Sequence, residues 1–210
     1  MHLLIDLDGT LTDSKPGIVA CIQHTLDQLE VGIDAGIDLE ACIGPPLRDV
    51  FANLCSDINV ELATQIYRER FSSKGLYENS VYDGIEASLE KLSTQVESMY
   101  VATSKPTVYS ERIISHFALD RYFKVIYGSQ LDGRLGNKSE LLRHLLLQEN
   151  ISASDAVMIG DRKFDIIGAR SNSIRSIGAL WGYGSEQELR DAGADELCNH
   201  PDQLYHCLFG

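Results

Sequence analysis

No two cysteines in this 210-residue sequence stand in a C-x-x-C pair. The five present, Cys21, Cys42, Cys55, Cys198 and Cys207, are odd in number and scattered along the chain. That pattern argues against a disulfide framework and against a zinc site. It fits reduced, partly buried thiols instead. Long apolar runs are also missing. The N-terminal Leu3-Leu4-Ile5 stops at Asp6, too short for the apolar region of a signal peptide. No stretch approaches the ~20 apolar residues of a membrane span. Cationic side chains are scarce, with 18 Lys plus Arg against 31 Asp plus Glu and a formal net charge of −13. A surface of that sign repels nucleic acid polymers and anionic membranes. The expectation is a cytoplasmic protein that binds neither.

What is present describes a globular chain. Hydrophobic residues make up 44% and charged residues 23%, which excludes a disordered or collagen-like polymer. A chain of this length buries roughly 70% of its unfolded surface and needs no covalent staples. From Ile85 onward, helical spacing alternates with short β-rich runs. Ile85, Leu89, Leu92 and Val96 precede Met99-Tyr100-Val101-Ala102, and Val108, Ile113, Ile114 and Phe117 precede Lys124-Val125-Ile126-Tyr127. Leu141, Leu142, Leu145 and Leu146 precede Ala156-Val157-Met158-Ile159, and Ser185 with Glu188 forms a capping box. This alternation predicts an α/β fold, a Rossmann-like parallel sheet with helices on both faces. The first strand is Leu3–Leu7. Between Ser14 and Tyr82 the pattern is helical, with Ile18, Cys21, Ile22, Thr25, Leu26 and Leu29 on one face and Leu62, Ile66 and Phe71 on another. Residues 1–14 and 83–210 therefore read as the core, and residues 15–82 as a helical insert after strand 1.

In an open parallel sheet, ligands bind beyond the carboxyl ends of the strands. The residues there are Asp6, Asp8, Gly9 and Thr10, then Thr103, Ser104 and Lys105, then Lys138, and finally Asp161 and Asp165. Four carboxylates at one edge repel unless a cation balances them. Oxygen donors without sulfur or histidine point to a hard cation, Mg²⁺ first. Asp6 and Asp8 share one face of extended chain, and Gly9 allows a tight turn whose N–H can face an anion. Lys138, behind a candidate Asn137 cap, sits where a cation opposes the helix dipole unless an anion binds there. Each feature alone has a plainer reading: an Asx-type turn at Asp6–Thr10, a solvated lysine at 138, helix caps at Thr103 and Asp161.

Taken together, Asp6-Leu7-Asp8-Gly9-Thr10-Leu11-Thr12-Asp13-Ser14, Thr103, Lys138 and Asp161 to Asp165 resemble the four motifs of the haloacid dehalogenase-like hydrolases. The resemblance covers the whole chain, including a helical cap inserted after the first motif. Ile43-Gly44-Pro45-Pro46-Leu47 and Val101-Ala102-Thr103-Ser104-Lys105-Pro106 look most like the phosphoglycolate-phosphatase-like branch, some of whose members are described as 5′-nucleotidases.

The resemblance implies a phosphatase of small-molecule phosphomonoesters. In it, Asp6 is the nucleophile and Asp8 the general acid and base. Mg²⁺ is held by the Asp6 carboxylate, the Asp8 backbone carbonyl and Asp161, with Asp165 as a further ligand or a support behind them. Thr103, Ser104, Lys138 and the N–H near Gly9 bind phosphoryl oxygens. An acid at position 8 separates the phosphatases from the dehalogenases of this family. Arg48 is the candidate cap contact to an anionic substrate, with an exposed helix-start arginine as its plain alternative. Lys105 either orients its loop or is solvated. His24, His116 and His144 lack partners at ligand spacing. Trp181 with Tyr183 in the Gly-Tyr-Gly run either lines the site from a late loop or, the plainer reading, packs beneath a loop. A phosphomutase would share these motifs. A receiver-like signalling domain would share the acids, threonine and lysine, but not the insert or the Asp8-Gly9-Thr10 turn.

Overall fold

The structure is a computed structural model and describes residues 1–32 and 39–210. The chain forms two units, one of Met1–Asp13 with Val81–Gly210 and the other of Ser14–Ser80. The first unit begins with β1 (His2–Ile5) and β2 (Thr12–Asp13). The helical unit holds α1 (Lys15–Gln28), α2 (Leu47–Leu54) and α3 (Val60–Arg70). The chain returns through β3 (Ser80–Val81). It continues as α4 (Ile85–Ser93), β4 (Ser98–Pro106), α5 (Thr107–His116), β5 (Val125–Ser129) and α6 (Lys138–Glu149). The remainder is β6 (Ala156–Gly160), α7 (Lys163–Ser171), β7 (Arg175–Ala179), α8 (Glu186–Ala192), β8 (Glu196–Cys198) and α9 (Leu204–Phe209).

Six strands form one parallel sheet in the order β5-β4-β1-β6-β7-β8. Its central strands are apolar without alternation because both of their faces are covered. Leu3, Leu4 and Ile5 of β1 and Met158 and Ile159 of β6 are all fully buried. Right-handed crossovers running one way from β1 put α4 and α5 on one face. Crossovers running the other way put α6, α7 and α8 on the opposite face. The contacts agree: α4 packs on α9, α5 on β4 and β5, α6 on α7, and α7 on β6, β7 and α8. The chain reverses its direction of travel across the sheet between β1 and β6. The carboxyl ends of strands at such a switch point are where an open parallel sheet binds ligands.

Several details depart from the sequence reading. Helix α4 ends at Ser93, so Val96 lies beyond it, and β4 runs to Pro106 rather than stopping at Ala102. Strands β7 and β8 carry too few β-branched residues to announce themselves. The buried face of α1 is the expected one, except that Leu29 is its C-terminal cap. In α3 the buried residues are Ala63, Thr64 and Tyr67, while Leu62 is 41% exposed. The aromatic side chains decide that rotation. Tyr67 stacks on Phe71 with centroids 5.4 Å apart and meets Phe51 edge-on at 6.1 Å. None of the five cysteines forms a disulfide. Among the described residues, no helix is long and apolar enough to cross a membrane.

Candidate active site

Strand β1 delivers Asp6 to the carboxyl edge of the sheet. Its backbone N–H donates to Ile159 O at 2.9 Å, carrying the β1–β6 ladder one residue past β1. The chain then coils tightly, with Leu11 N and Thr12 N both donating to Leu7 O at 2.9 and 3.0 Å. Gly9 has φ of +79°, and a Cβ built on it would lie 2.2 Å from Asp161 Oδ2. Both the backbone conformation and the close approach require glycine.

Lys138 is the first residue of α6 and is buried. The Asn137 side chain caps that helix, accepting from Ser139 N at 2.9 Å and Glu140 N at 3.3 Å. The ammonium lies 3.0 Å from Asp6 Oδ1 and 2.7 Å from Asp165 Oδ1, and it donates to Ala102 O at 2.8 Å. These acceptors offset both its burial and the unfavourable helix dipole. Asp165, in the first turn of α7, also accepts from Arg162 N through Oδ2 at 3.1 Å. Arg162 Nε and Lys163 N both donate to Glu188 Oε1 at 2.9 Å. The expected Ser185–Glu188 capping box is thus half made. Ser185 Oγ accepts from Glu188 N at 3.1 Å, while the Glu188 carboxylate braces the start of α7.

Asp161 follows β6 and is fully buried. Its Oδ1 accepts from Thr10 Oγ1 at 3.1 Å and its Oδ2 from Tyr183 N at 2.8 Å. Ligand oxygens of Asp6, Asp161 and Asp165 all lie within 4.8 Å of one another. Burial pushes Asp6 up to about 7 against the pull of Lys138, with Asp165 and Asp8 adding to the rise. Asp161 is also raised, by burial first and then by Asp165 and Asp6. Three buried carboxylates lie together, and Lys138 ion-pairs with two of them, Asp6 and Asp165. The donor set, all hard oxygen, fits a divalent cation such as Mg²⁺.

Asp8 stands apart from that group. Its Oδ2 lies 2.9 Å from Lys105 Nζ, and its Oδ1 is buried with no hydrogen-bond partner. Lys105 comes from the end of β4, where pairing with β5 shifts register between Ala102 and Pro106. Thr103 is buried and its Oγ1 accepts from Lys105 N at 3.2 Å. Ser104 is fixed through its carbonyl, which accepts from Ser129 Oγ at 2.8 Å. Arg48 lies at the start of α2 in the helical unit, ion-paired with Glu61 and half-exposed.

The family model described as haloacid dehalogenase-like hydrolase matches residues 3–179. The chain belongs to that family. A curated relative named 5′-nucleotidase, from Pseudomonas aeruginosa, is 47% identical over 199 residues, covering 94% of this chain and 90% of that one. A protein named tyrosine-protein kinase PtkA, from Mycobacterium tuberculosis, is 36% identical over 182 residues. The match covers 87% of this chain and 62% of that protein. Phosphoglycolate phosphatases of several bacteria match at 22–26% identity. Among solved structures, one described as a predicted phosphatase from Clostridium acetobutylicum superposes with a TM-score of 0.92 at 43% identity, over 99% of this chain and 97% of that one.

The loop after β7 also reaches these residues. Trp181 and Tyr183 do more than pack. Trp181 Nε1 donates to Thr10 O at 2.9 Å, and the Tyr183 hydroxyl donates to Asp13 Oδ1 at 2.8 Å. With Tyr183 N on Asp161, this loop ties the turn after β1 to the carboxylate after β6. A Cβ on Gly182 would meet Asp161 Cβ and Gly9 O, both at 2.3 Å. The Gly182-Tyr183-Gly184 run was the available signal, since closely spaced glycines mark a backbone that must approach another chain segment. Lys105 is likewise 6% exposed at its side chain, not solvated.

Proposed function

We propose that this hydrolase is a Mg²⁺-dependent phosphatase that cleaves a nucleotide-type phosphomonoester through an aspartyl-phosphate on Asp6. The observation that carries the reading is the buried group of Asp6, Asp161 and Asp165, with Lys138 paired to Asp6 and Asp165. The 47% identity to a relative named 5′-nucleotidase favours a nucleoside 5′-monophosphate over phosphoglycolate. Five cysteines outside any disulfide suit a reducing cytoplasm.

In this reading Asp6 attacks phosphorus, forming one P–O bond as the ester P–O bond breaks. Asp8 gives a proton to the departing alcohol oxygen. Asp8 then takes a proton from the water that attacks phosphorus, breaking the Asp6–P bond and releasing inorganic phosphate. Lys138 and Thr103 hold phosphoryl oxygens, aided by Ser104 and the N–H groups around Gly9. Asp6, the Asp8 backbone carbonyl, Asp161 and Asp165 would hold Mg²⁺. Bound there, the ion offsets the negative charge shared by carboxylates and phosphoryl group. Residues 15–82 serve as the cap that excludes water, with Arg48 meeting an anionic part of the substrate.

The test is phosphate release from a panel of nucleoside 5′-monophosphates, phosphoglycolate and sugar phosphates, with Mg²⁺ or EDTA. Activity should require Mg²⁺, be highest on a nucleotide, and vanish in Asp6→Asn while the fold is kept. Wild-type turnover by Asp6→Asn, or indifference to EDTA, refutes the mechanism. The PtkA relative favours a second reading, phosphoryl transfer to a protein tyrosine. Phosphate appearing on a tyrosine peptide rather than in solution would select it.

A further inference from the structure

The site contains two buried lysines, and they serve different carboxylates. Lys138 is committed to Asp6, Asp165 and Ala102 O. Lys105 reaches Asp8, with Nζ 2.9 Å from Oδ2 and side chains only 6% and 14% exposed. An ion pair so buried contributes little net stability, because desolvation offsets its attraction. What such a pair does supply is geometry.

We infer that Lys105 is a positioning residue for Asp8, pinning one carboxylate oxygen so that the other faces the reacting ester. The inference rests on the phosphatase reading above. An aspartate carboxylate turns broadly about its last torsion, so an unrestrained Asp8 would present either oxygen in many orientations. With Oδ2 held by Lys105, the oxygen left over is Oδ1, which is buried and makes no hydrogen bond. That is the atom available to give and take the proton. The backbone is shaped for this. The register shift of β4 between Ala102 and Pro106 re-aims the side chains there, and Thr103 Oγ1 braces the turn by accepting from Lys105 N at 3.2 Å. One short segment thus carries both a phosphoryl-binding hydroxyl and the ammonium that orients the acid.

The experiment compares two esters in Mg²⁺: a nucleoside 5′-monophosphate, whose alkoxide must be protonated to leave, and p-nitrophenyl phosphate, whose leaving group departs as a stabilised anion. The ratio of kcat/KM on the first to that on the second reads the contribution of the acid, because kcat/KM stops at phosphoryl transfer to Asp6. In Lys105→Met that ratio should fall by about 10–100-fold, part of what a general acid contributes. Lys105→Arg should return it to within about threefold of wild type, and Asp8→Asn should show the same selective loss. Lys105→Gln makes the same comparison if the Met variant does not fold. Equal losses on both esters, or an unchanged ratio, overturn the proposal while the phosphatase reading stands. A wild-type protein that releases phosphate from neither ester refutes that reading, and the proposal with it.

Discussion

A Cβ on Gly9 would stand 2.2 Å from Asp161 Oδ2, so the turn after β1 touches the carboxylate after β6 because residue 9 has no side chain. The φ of +79° adds a conformational penalty for any other residue. Gly9→Ala should cost about 2–3 kcal/mol in urea unfolding, from backbone strain plus displacement of Asp161. The rise in melting temperature on adding Mg²⁺ should shrink in the same variant, since Asp161 is pushed from its place. A variant with wild-type stability and a full Mg²⁺ response would show that the loop yields without disturbing the carboxylate.

Lys138→Met removes the positive charge from between Asp6 and Asp165. Stranding buried carboxylates in this way costs about 3–5 kcal/mol. The loss should be smaller at pH 5 than at pH 8, because the stranded acids can protonate and protonation relieves the repulsion. Melting curves of both proteins in EDTA across that range check the prediction. A pH-independent difference would mean that Lys138 stabilises through packing alone.

The wild-type protein without metal should lose stability as pH rises through the weakly acidic range. Burial first, then the neighbouring acids, raise Asp6 from 3.8 to about 7 against the pull of Lys138. Between those values the folded chain binds more protons than the unfolded chain, so stability falls with rising pH. The contribution is fully present below pH 3.8 and is lost as pH passes about 7. A divalent cation competes with those protons, so the gap between melting temperatures in Mg²⁺ and in EDTA should widen from pH 5 to pH 8. In Asp6→Asn the widening should be reduced. A gap that narrows with pH would contradict the carboxylate assignment.

Tyr183→Phe deletes the hydroxyl that donates to Asp13 but keeps the backbone N–H that donates to Asp161. The expected cost is about 1 kcal/mol in urea unfolding, with the Mg²⁺-induced rise in melting temperature retained. Loss of that rise would place the phenol, rather than the backbone, in control of Asp161.

Legibility in the sequence followed the strength of local signals. The runs at β1 and β6 could be read because strands buried on both faces are continuously apolar, and the acids stood directly behind them. Asn137 announced the start of α6 through its own cap. β7, with Ser176 and Gly178 among its five residues, and β8, with three, have little pattern to read. The rotation of α3 depended on Tyr67 meeting Phe51 and Phe71, a tertiary preference that helical spacing cannot rank against Leu62 and Ile66. Likewise, Lys105 and Tyr183 gained their partners through contacts far apart in the chain. Asp8 precedes Lys105, and Asp161 precedes Tyr183, with no periodicity linking either pair.

The strand order also dictates a timetable. His2 pairs with Ser98 on one side and with Ala156 on the other, 154 residues later in the chain. At ordinary synthesis rates, that separation leaves one flank of β1 without its partner for roughly 8–30 s. Through that interval the nascent chain exposes an apolar strand with unpaired backbone groups, the kind of edge that invites pairing with other chains. Asp6 cannot meet Asp161 any sooner. A ribosome-bound chain therefore has neither that flank of β1 covered nor Asp161 beside Asp6 until β6 slots in next to β1.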